Sequence, residues 1–238
     1  MIGCLFIHGF TGAPYEVDPL ANYIQERTGW LVKVPTLPGH GVTLSLKGYS
    51  YNEWVTYAEQ ELLALMEQVD EVYVIGFSMG GVIASYLAAH YEVKKLVLLS
   101  AAVYYVNPRQ LMVDCKDMIK DLISGNINQN ELFNRYKNKI FQTPLRATFE
   151  FQKLVKNVKP FLKDLTLPVL IIQGECDGIV PVKSAHYLYN TIPSIKKELR
   201  LLPSSKHHVC HGKDYEVLKQ YVERFLDEGK GAEPALTN

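Results

Sequence analysis

The stretch from Val72 to Gly81, Val-Tyr-Val-Ile-Gly-Phe-Ser-Met-Gly-Gly, constrains the fold of this chain more than any other. Its β-branched, apolar first half predicts a short buried strand, and the apolar residues that follow Gly81 predict a helix packed on both sides. Between them lies Gly-x-Ser-x-Gly, a pattern that holds Ser78 on a sharp turn from strand to helix. We expect the flanking glycines because a Cβ there would collide with the neighbouring strand and helix. The turn exposes the Ser78 hydroxyl at a helix N-terminus, where backbone N–H groups favour negative charge.

Length, charge and cysteine content exclude several classes of protein. The 238 residues suit one α/β domain with a large core, and 25 basic side chains balance 25 acidic ones. No basic surplus indicates a nucleic-acid partner. The four cysteines, Cys4, Cys115, Cys176 and Cys210, are widely spaced and predict free thiols in a reducing, cytoplasmic compartment. Because no second cysteine lies near Cys210 and its neighbouring histidines, we expect no metal, and no other cofactor is indicated.

The chain also carries no signal that predicts membrane insertion. Residues 1–8 lack the basic region and the small-residue cleavage site of a signal peptide. The longest apolar run, residues 96–106, is about half as long as a bilayer span requires. We therefore expect a cytoplasmic protein without stable membrane insertion.

Predicted strands alternate with predicted helices along most of the chain. The predicted strands span residues 2–7, 30–34, 72–75, 95–99, 167–173 and 197–202. This alternation predicts a mostly parallel sheet with helices on both faces. The candidate site residues Ser78, Asp177 and His207 all directly follow strands, as do the loops 8–12 and 39–41. Ligands on such sheets bind at the carboxyl edge of the strands, so we expect one site there.

One region departs from this alternation. Residues 107–165 contain three helical segments in succession without a convincing strand, and Pro160 is expected to bend or split the last of them. They predict a helical cap inserted into a core formed by residues 1–106 and 166–228. Residues 229–238 are polar and contain Gly, Ala and Pro, so we expect a disordered tail.

A serine hydroxyl is a poor nucleophile at neutral pH. To react, it needs a base that accepts its proton and a third group that orients the base. The acid should follow a late strand, and Asp177 does so within Gly-Glu-Cys-Asp-Gly-Ile-Val-Pro. Glu175 is the alternative, but a charge there reads equally well as a solvated loop residue. We favour Asp177 because a glycine turn follows it and because the chain order Ser, Asp, His fits. The other possible position for the acid, after the strand 95–99, holds Ser100.

The base should follow the last strand, where His207 and His208 are adjacent. We favour His207, which follows Ser-x and sets the closing helix in register for packing beneath the sheet. His208 remains the alternative, and His211 is expected at the surface or supporting the site.

Attack of a serine on a carbonyl carbon gives a tetrahedral intermediate, whose oxyanion needs two N–H donors. Met79, directly after the nucleophile, supplies one candidate, and Phe10 in the loop after the first strand supplies the other. His8 is expected to hold that loop in place by hydrogen bonds. His40 in Pro-Gly-His-Gly is expected to have a similar role in its own loop.

The motifs His-Gly-Phe-Thr-Gly, Pro-Gly-His-Gly, Gly-Phe-Ser-Met-Gly-Gly, Gly-Glu-Cys-Asp-Gly-Ile-Val-Pro and Ser-Lys-His occur in this order. Together they resemble the α/β-hydrolase superfamily, and within it the small bacterial carboxylesterases and monoacylglycerol lipases. The resemblance implies a Ser78–His207–Asp177 triad, an oxyanion hole from Phe10 and Met79, and a cap. Two departures from the family pattern are expected: the predicted sheet lacks the two strands that usually come first, and His208 stands where a small aliphatic residue is common, so His208 stays open as the base.

The sequence thus predicts a serine carboxylesterase that acts on short- to medium-chain acyl esters, with a small-molecule ester as its partner. Phe10 and Val180 would flank the triad. Apolar cap side chains either pack the cap or line an acyl tunnel; they are Leu111, Met112, Met118, Ile119, Leu122, Leu132, Phe133, Ile140, Phe141, Phe149 and Phe151. A monoacylglycerol lipase is the alternative within the fold. A non-catalytic small-molecule binding protein on the same scaffold is the alternative from another class.

Overall fold

The computed structural model describes residues 1–41, 43–104 and 145–228. In these ranges the chain forms a six-stranded, fully parallel sheet with the strand order β2-β1-β3-β4-β5-β6. The strands are β1 Ile2–Ile7, β2 Leu31–Lys33, β3 Glu71–Phe77, β4 Lys95–Leu99, β5 Val169–Gly174 and β6 Lys197–Leu202. From β1 the chain first moves outward to β2 and then returns to the other side of β1. Ligands of parallel sheets bind where the strand order reverses in this way, here at the carboxyl ends of β1 and β3.

Helices cover both faces of the sheet. The α-helices in the described ranges are α1 Asp18–Thr28, α2 Tyr51–Met66, α3 Met79–His90, α4 Leu145–Val158, α5 Lys183–Thr191 and α6 Tyr215–Asp227. Three short 3-10 segments in the same ranges span Pro14–Glu16, Lys159–Asp164 and Val209–His211. None of the described helices is long and apolar enough to cross a membrane.

The period-two pattern of the strands divides the apolar core into two layers. In β3, Val72 and Val74 belong to the core beneath α2, α3, α4 and α5. The alternate residues of β3, Tyr73 and Ile75, belong to the core beneath α1 and α6. Each fully buried aliphatic side chain contributes about 1.5–3 kcal/mol. The two layers therefore hold the strand ends, and the loops that follow them, at fixed positions.

Part of the predicted cap lies within the described ranges. Helix α4 ends at Val158, one residue before the 3-10 segment that contains Pro160, as the sequence predicts. Phe151 and Leu154 of α4 are buried in the same core cluster as α2 and α3. Residues 107–144 and the tail 229–238 lie outside the described ranges, so the cap and tail boundaries stay predictions.

Candidate active site

Ser78 occupies the turn between β3 and α3 in a backbone conformation that L-residues rarely adopt. Its φ is +54° and its ψ −116°, and such strain concentrates at functional sites. The turn is possible because the flanking positions lack a Cβ. A Cβ on Gly80 would lie 2.1 Å from the carbonyl oxygen of Ile7, and one on Gly76 would lie 2.3 Å from that of Gly80. The glycines thus let the first turn of α3 approach the backbone of β1 and β3.

Three side chains from three different loops form a continuous line of hydrogen bonds. The Oγ of Ser78 lies 2.9 Å from Nε2 of His207, and Nδ1 of His207 lies 2.7 Å from Oδ2 of Asp177. A carboxylate only accepts hydrogen bonds, so Nδ1 of His207 carries the proton and Nε2 is left to accept from Ser78. All three side chains are almost fully buried. The structure therefore brings together the serine, acid and base that the sequence singles out.

The Asp177 carboxylate is held on all sides. Its Oδ1 accepts the backbone N–H groups of Ile179 and Val180, each at 2.9 Å. Its Oδ2 accepts the side-chain N–H of Gln173 at 2.8 Å in addition to His207. Burial alone would raise the pKa of Asp177, but His207 and the two backbone donors outweigh it and lower that pKa. The carboxylate therefore stays charged and fixed beside the imidazole.

The alternative candidates for the base and the acid, His208, Glu175 and His211, have different surroundings. Nε2 of His208 lies 3.4 Å from Oε1 of Glu16, whereas His207 is the histidine that contacts Ser78. Glu175 is exposed to solvent. His211 lies in an exposed position, where its ring donates a hydrogen bond to the Tyr15 carbonyl at 2.7 Å.

The two candidate oxyanion donors approach Ser78 from different directions. Met79 is the first residue of α3, so its N–H is one of those that a helix leaves without an intrahelical partner. Phe10 belongs to residues 8–13, which we call the oxyanion loop. A Cβ on Gly9 would lie 3.2 Å from Cβ of Ser78, so this loop passes directly against the serine. The roles of Met79 and Phe10 stay predictions.

His8 and His40 contact the backbone of their loops. The N–H of Leu37 donates to Nε2 of His8 at 3.0 Å, so Nδ1 of His8 carries the proton and donates to the Gly9 carbonyl at 2.9 Å. Nδ1 of His40 contacts the Pro38 carbonyl at 3.0 Å. Both histidines thus shape loops beside the site, in agreement with the interpretation of the sequence.

An aromatic cluster adjoins the oxyanion loop. The half-buried Phe10 ring stacks on Phe151 of α4, with centroids 5.3 Å apart and planes 16° apart. The ring centroids of Trp54 and Phe10 lie 5.9 Å apart, and the His40 ring packs edge-on against Trp54. Val180 is fully buried, and its main chain contacts Asp177 and Gln173. The substrate contacts predicted for Phe10 and Val180 stay predictions.

Gln173 contributes to this site, and the sequence gives little indication of it. It is the fifth residue of β5 and is fully buried, and its amide donates to Asp177 and to the Val180 carbonyl at 3.1 Å. A polar residue at the end of an apolar strand was the only available signal. In ranges 1–41, 43–104 and 145–228, no group of three or more His, Cys, Asp or Glu side chains is arranged to hold a metal ion.

Comparisons with known proteins agree with this architecture. The model of the family described as serine aminopeptidase, S33, matches residues 3–214. The chain is 28% identical over 210 residues to the thermostable monoacylglycerol lipase of Bacillus sp. strain H-257, covering 87% of this chain and 82% of that one. It is 23% identical over 226 residues to a carboxylesterase of Bacillus subtilis strain 168, covering 94% and 92% respectively.

Solved structures show the same fold. A structure from work on LipS and LipT, two metagenome-derived lipolytic enzymes, superposes with a TM-score of 0.77 at 24% sequence identity. The superposition covers 94% of this chain and 93% of that one. The described sheet and helices are therefore those of a known architecture.

Proposed function

Because the chain belongs to the serine aminopeptidase S33 family and has the α/β-hydrolase fold, we propose that it is a serine carboxylesterase. It hydrolyses short- to medium-chain acyl esters through an acyl-enzyme intermediate. The observation that carries this proposal is the line of hydrogen bonds from Asp177 through His207 to Ser78. A serine on a strained turn, with a base and an orienting acid, is the arrangement that activates a hydroxyl at neutral pH.

The first half-reaction forms the acyl-enzyme. Oγ of Ser78 attacks the ester carbonyl carbon while Nε2 of His207 accepts the hydroxyl proton. Asp177 keeps the imidazole in the correct tautomer and stabilises the imidazolium. The N–H groups of Phe10 and Met79 donate to the oxyanion of the tetrahedral intermediate. The intermediate then collapses, the ester C–O bond breaks, and His207 gives its proton to the departing alcohol.

The second half-reaction reverses these roles with water. His207 accepts a proton from a water molecule, whose oxygen attacks the acyl carbon. Collapse of the second tetrahedral intermediate breaks the bond to Oγ of Ser78 and releases the carboxylic acid. One ester and one water thus yield one acid and one alcohol, and Ser78 recovers its proton from His207.

The aromatic cluster beside the oxyanion loop supports the proposal of an apolar acyl group. The half-buried Phe10 ring packs on the fully buried rings of Phe151 and Trp54. Of these three rings, Phe10 is the one that can contact an acyl group, and pockets lined by aromatic side chains hold alkyl groups. The sequence places no cluster of Arg or Lys beside the motifs that would bind a charged acyl carrier. We therefore propose uncharged acyl esters as the substrate class.

A monoacylglycerol lipase is the second candidate. It is favoured by the similarity to the monoacylglycerol lipase of Bacillus sp. strain H-257. The two candidates differ in the alcohol and in the acyl length that they prefer. A preference for long acyl chains on glycerol over short p-nitrophenyl esters favours the lipase.

We also propose a cytoplasmic location. No disulfide joins Cys4, Cys176 and Cys210 within the described part of the chain, which fits a reducing compartment. Fractionation of cells that express the native gene tests this: recovery of the activity outside the cytoplasm contradicts it.

The test of the function is hydrolysis of p-nitrophenyl esters of graded chain length by the wild-type protein and by Ser78→Ala. We expect activity that is highest for short to medium chains and falls by about 10⁶-fold in kcat without the hydroxyl. Ser85→Ala is the matched control, because Ser85 is a buried serine of α3, the helix that follows Ser78, and its hydroxyl donates to the Gly81 carbonyl. Its activity should stay within about twofold of wild type.

Three outcomes contradict the proposal. Full activity of folded Ser78→Ala refutes the nucleophile. A wild-type protein that binds esters without hydrolysing them, and that a fluorophosphonate does not label, is a binding protein on this scaffold. Faster cleavage of amino-acid p-nitroanilides than of esters would instead favour an aminopeptidase.

A further inference from the structure

Glu16 is a buried carboxylate that the proposed reaction does not use. It ends the 3-10 segment Pro14–Glu16 that follows the oxyanion loop, and its side chain is only 5% exposed. Its Oε2 accepts the backbone N–H of Gly9 at 2.8 Å. An ionised group out of water is costly unless it is paired and hydrogen-bonded, so this burial calls for an explanation.

The partner of Glu16 comes from the loop after the last strand, β6. Residues 203–208, which we call the histidine loop, follow β6 and end in His207 and His208. Nε2 of His208 lies 3.4 Å from Oε1 of Glu16, and its side chain is only 19% exposed. The His208 ring lies 5.4 Å from that of Phe77, the residue before the nucleophile. One carboxylate therefore contacts both the oxyanion loop and the histidine loop.

The fit around Glu16 is tight. A Cβ on Gly12 would lie 2.0 Å from Oε2 of Glu16, so a side chain at position 12 would force the carboxylate out of its present position. Burial raises the pKa of Glu16, but its contact with His208 and the backbone N–H of Gly9 outweigh burial and lower that pKa. Burial, and secondarily the charge of Glu16, raises the pKa of the nearby Cys210 thiol to about 12. The carboxylate is therefore charged in the folded protein.

We propose that Glu16 and His208 are a pair of positioning residues that hold the oxyanion loop at a fixed separation from the histidine loop. Gly9 directly precedes Phe10, so the bond from its N–H to Glu16 fixes the backbone that leads into the proposed oxyanion donor. His208 directly follows the proposed base, so its contact with the same carboxylate ties the base to that loop. This inference rests on the proposed function, because it concerns the alignment of the donor and base of that reaction.

A purely structural pair would stabilise the fold without affecting the reaction. A positioning pair instead aligns groups that act only on the transition state, so its loss lowers kcat and leaves KM nearly unchanged. Misplacement by about 1 Å at a distance from the reacting atoms can cost up to about 100-fold in rate. The split between kcat and KM therefore separates the two roles.

The experiment measures kcat and KM for p-nitrophenyl butyrate with Glu16→Gln, His208→Gln and the double variant. Glutamine at position 16 keeps an oxygen for the Gly9 N–H and removes the charge that faces His208. We expect each single variant to lose about 10-fold in kcat, with KM within about twofold of wild type. The double variant should lose about as much as one single variant, because residues of one interacting pair are not additive.

Glu150→Gln is the matched control. Glu150 is equally buried at 5% exposed, and its carboxylate accepts the Tyr51 N–H at 3.3 Å and pairs with Lys153 at 2.7 Å. Its loss should lower the melting temperature by a similar amount as Glu16→Gln, but kcat should stay within about twofold of wild type. A stability effect alone therefore cannot imitate the expected result.

The outcomes separate this inference from the proposed function. If Ser78→Ala abolishes wild-type activity while Glu16→Gln and His208→Gln both keep kcat within about twofold, the inference is wrong and the function stands. Losses that multiply to about 100-fold in the double variant also overturn it, because the two residues then act independently. A wild-type protein that neither hydrolyses the ester nor reacts with a fluorophosphonate refutes both. If Glu16→Gln does not fold, the partly exposed His208→Gln decides by its own kcat.

Discussion

His207 and His208 are neighbours in the chain, and each faces a buried carboxylate on a different loop. Nδ1 of His207 lies 2.7 Å from Asp177, whereas Nε2 of His208 lies 3.4 Å from Glu16. Asp177 accepts three further hydrogen bonds, from two backbone N–H groups and from an amide side chain. Glu16 accepts one, from the backbone N–H of Gly9.

The two pairs contain the same chemical groups and differ in what lies beyond them. The second ring nitrogen of His207 faces the Ser78 hydroxyl at 2.9 Å, which provides a route for a proton. The second carboxylate oxygen of Glu16 instead binds the backbone of the oxyanion loop. Under the proposed mechanism, only the pair of His207 and Asp177 can carry a proton from a nucleophile. The pair of His208 and Glu16 instead joins two segments of the chain.

The two pairs should differ most in how far kcat falls when the imidazole is removed. His207→Ala should lower kcat for p-nitrophenyl butyrate by about 10⁵–10⁶-fold, because no group then accepts the Ser78 proton. His208→Ala should cost only about 10-fold, through the loop alignment argued above. Steady-state kinetics of both variants, with circular dichroism to verify folding, measure this contrast.

The same pair of variants can reverse the assignment. An inactive His208→Ala beside an active His207→Ala would make His208 the base. The comparison between the pairs would then be wrong.

The second largest difference in kcat is expected when the two carboxylates, Asp177 and Glu16, are replaced by amides. Asp177→Asn should lower kcat by about 10⁴-fold, since an amide favours the wrong imidazole tautomer while the geometry persists. The matched change Glu16→Gln replaces a carboxylate by an amide in the same way and should cost about 10-fold. Equal losses in the two variants would remove the distinction between orienting the base and joining the loops.

Gln173 tests how much the additional donor to Asp177 contributes. Gln173→Met keeps the volume of the side chain but removes the hydrogen bond to Oδ2 at 2.8 Å. A hydrogen bond to a charged group is worth about 1.5–3 kcal/mol, so kcat should fall by about 10- to 150-fold. Gln68→Met, which removes an amide from an exposed helix end, should leave kcat unchanged. An unchanged kcat in Gln173→Met would mean that the backbone donors alone hold Asp177.

Much of the fold follows from local patterns in the sequence. All six predicted strands are present, and the prediction of an α/β-hydrolase fold is confirmed. The apolar run of β3 and the glycines around Ser78 suffice to predict the turn, because backbone clashes within a few residues dictate it. Strand ends are less well determined: β2 spans only Leu31–Lys33 of the predicted 30–34.

The supporting residues could not be predicted in this way. Glu16 reads as an acidic residue before a helix, which is ordinarily solvated, and its partner lies 192 positions further along the chain, as the numbers 16 and 208 show. Gln173 resembles any polar residue at the end of a strand. The roles of both depend on which loops the sheet order brings together, and no local pattern records that. Candidate reacting residues are thus easier to predict from the sequence than the residues that position them.

The smallest expected difference concerns the acid stability of the two carboxylates. Burial raises the pKa of both Asp177 and Glu16, and their hydrogen-bonding and charged partners lower both below the ordinary values. Each therefore contributes stability that is fully present above its unfolded-state pKa of about 4. That contribution is lost as pH falls through the lower pKa of the folded state.

Asp177→Asn and Glu16→Gln should accordingly flatten the fall in the free energy of unfolding between about pH 5 and about pH 3. The flattening should be on the order of 1 kcal/mol for each, and larger for Asp177 because more donors hold its charged form. Urea unfolding of the wild-type protein and both variants at the two pH values measures it. If Glu16→Gln loses stability with acid as steeply as wild type, the Glu16 carboxylate is not held in its charged form. The contact between Glu16 and His208 would then stabilise the fold no more than an ion pair exposed to solvent does.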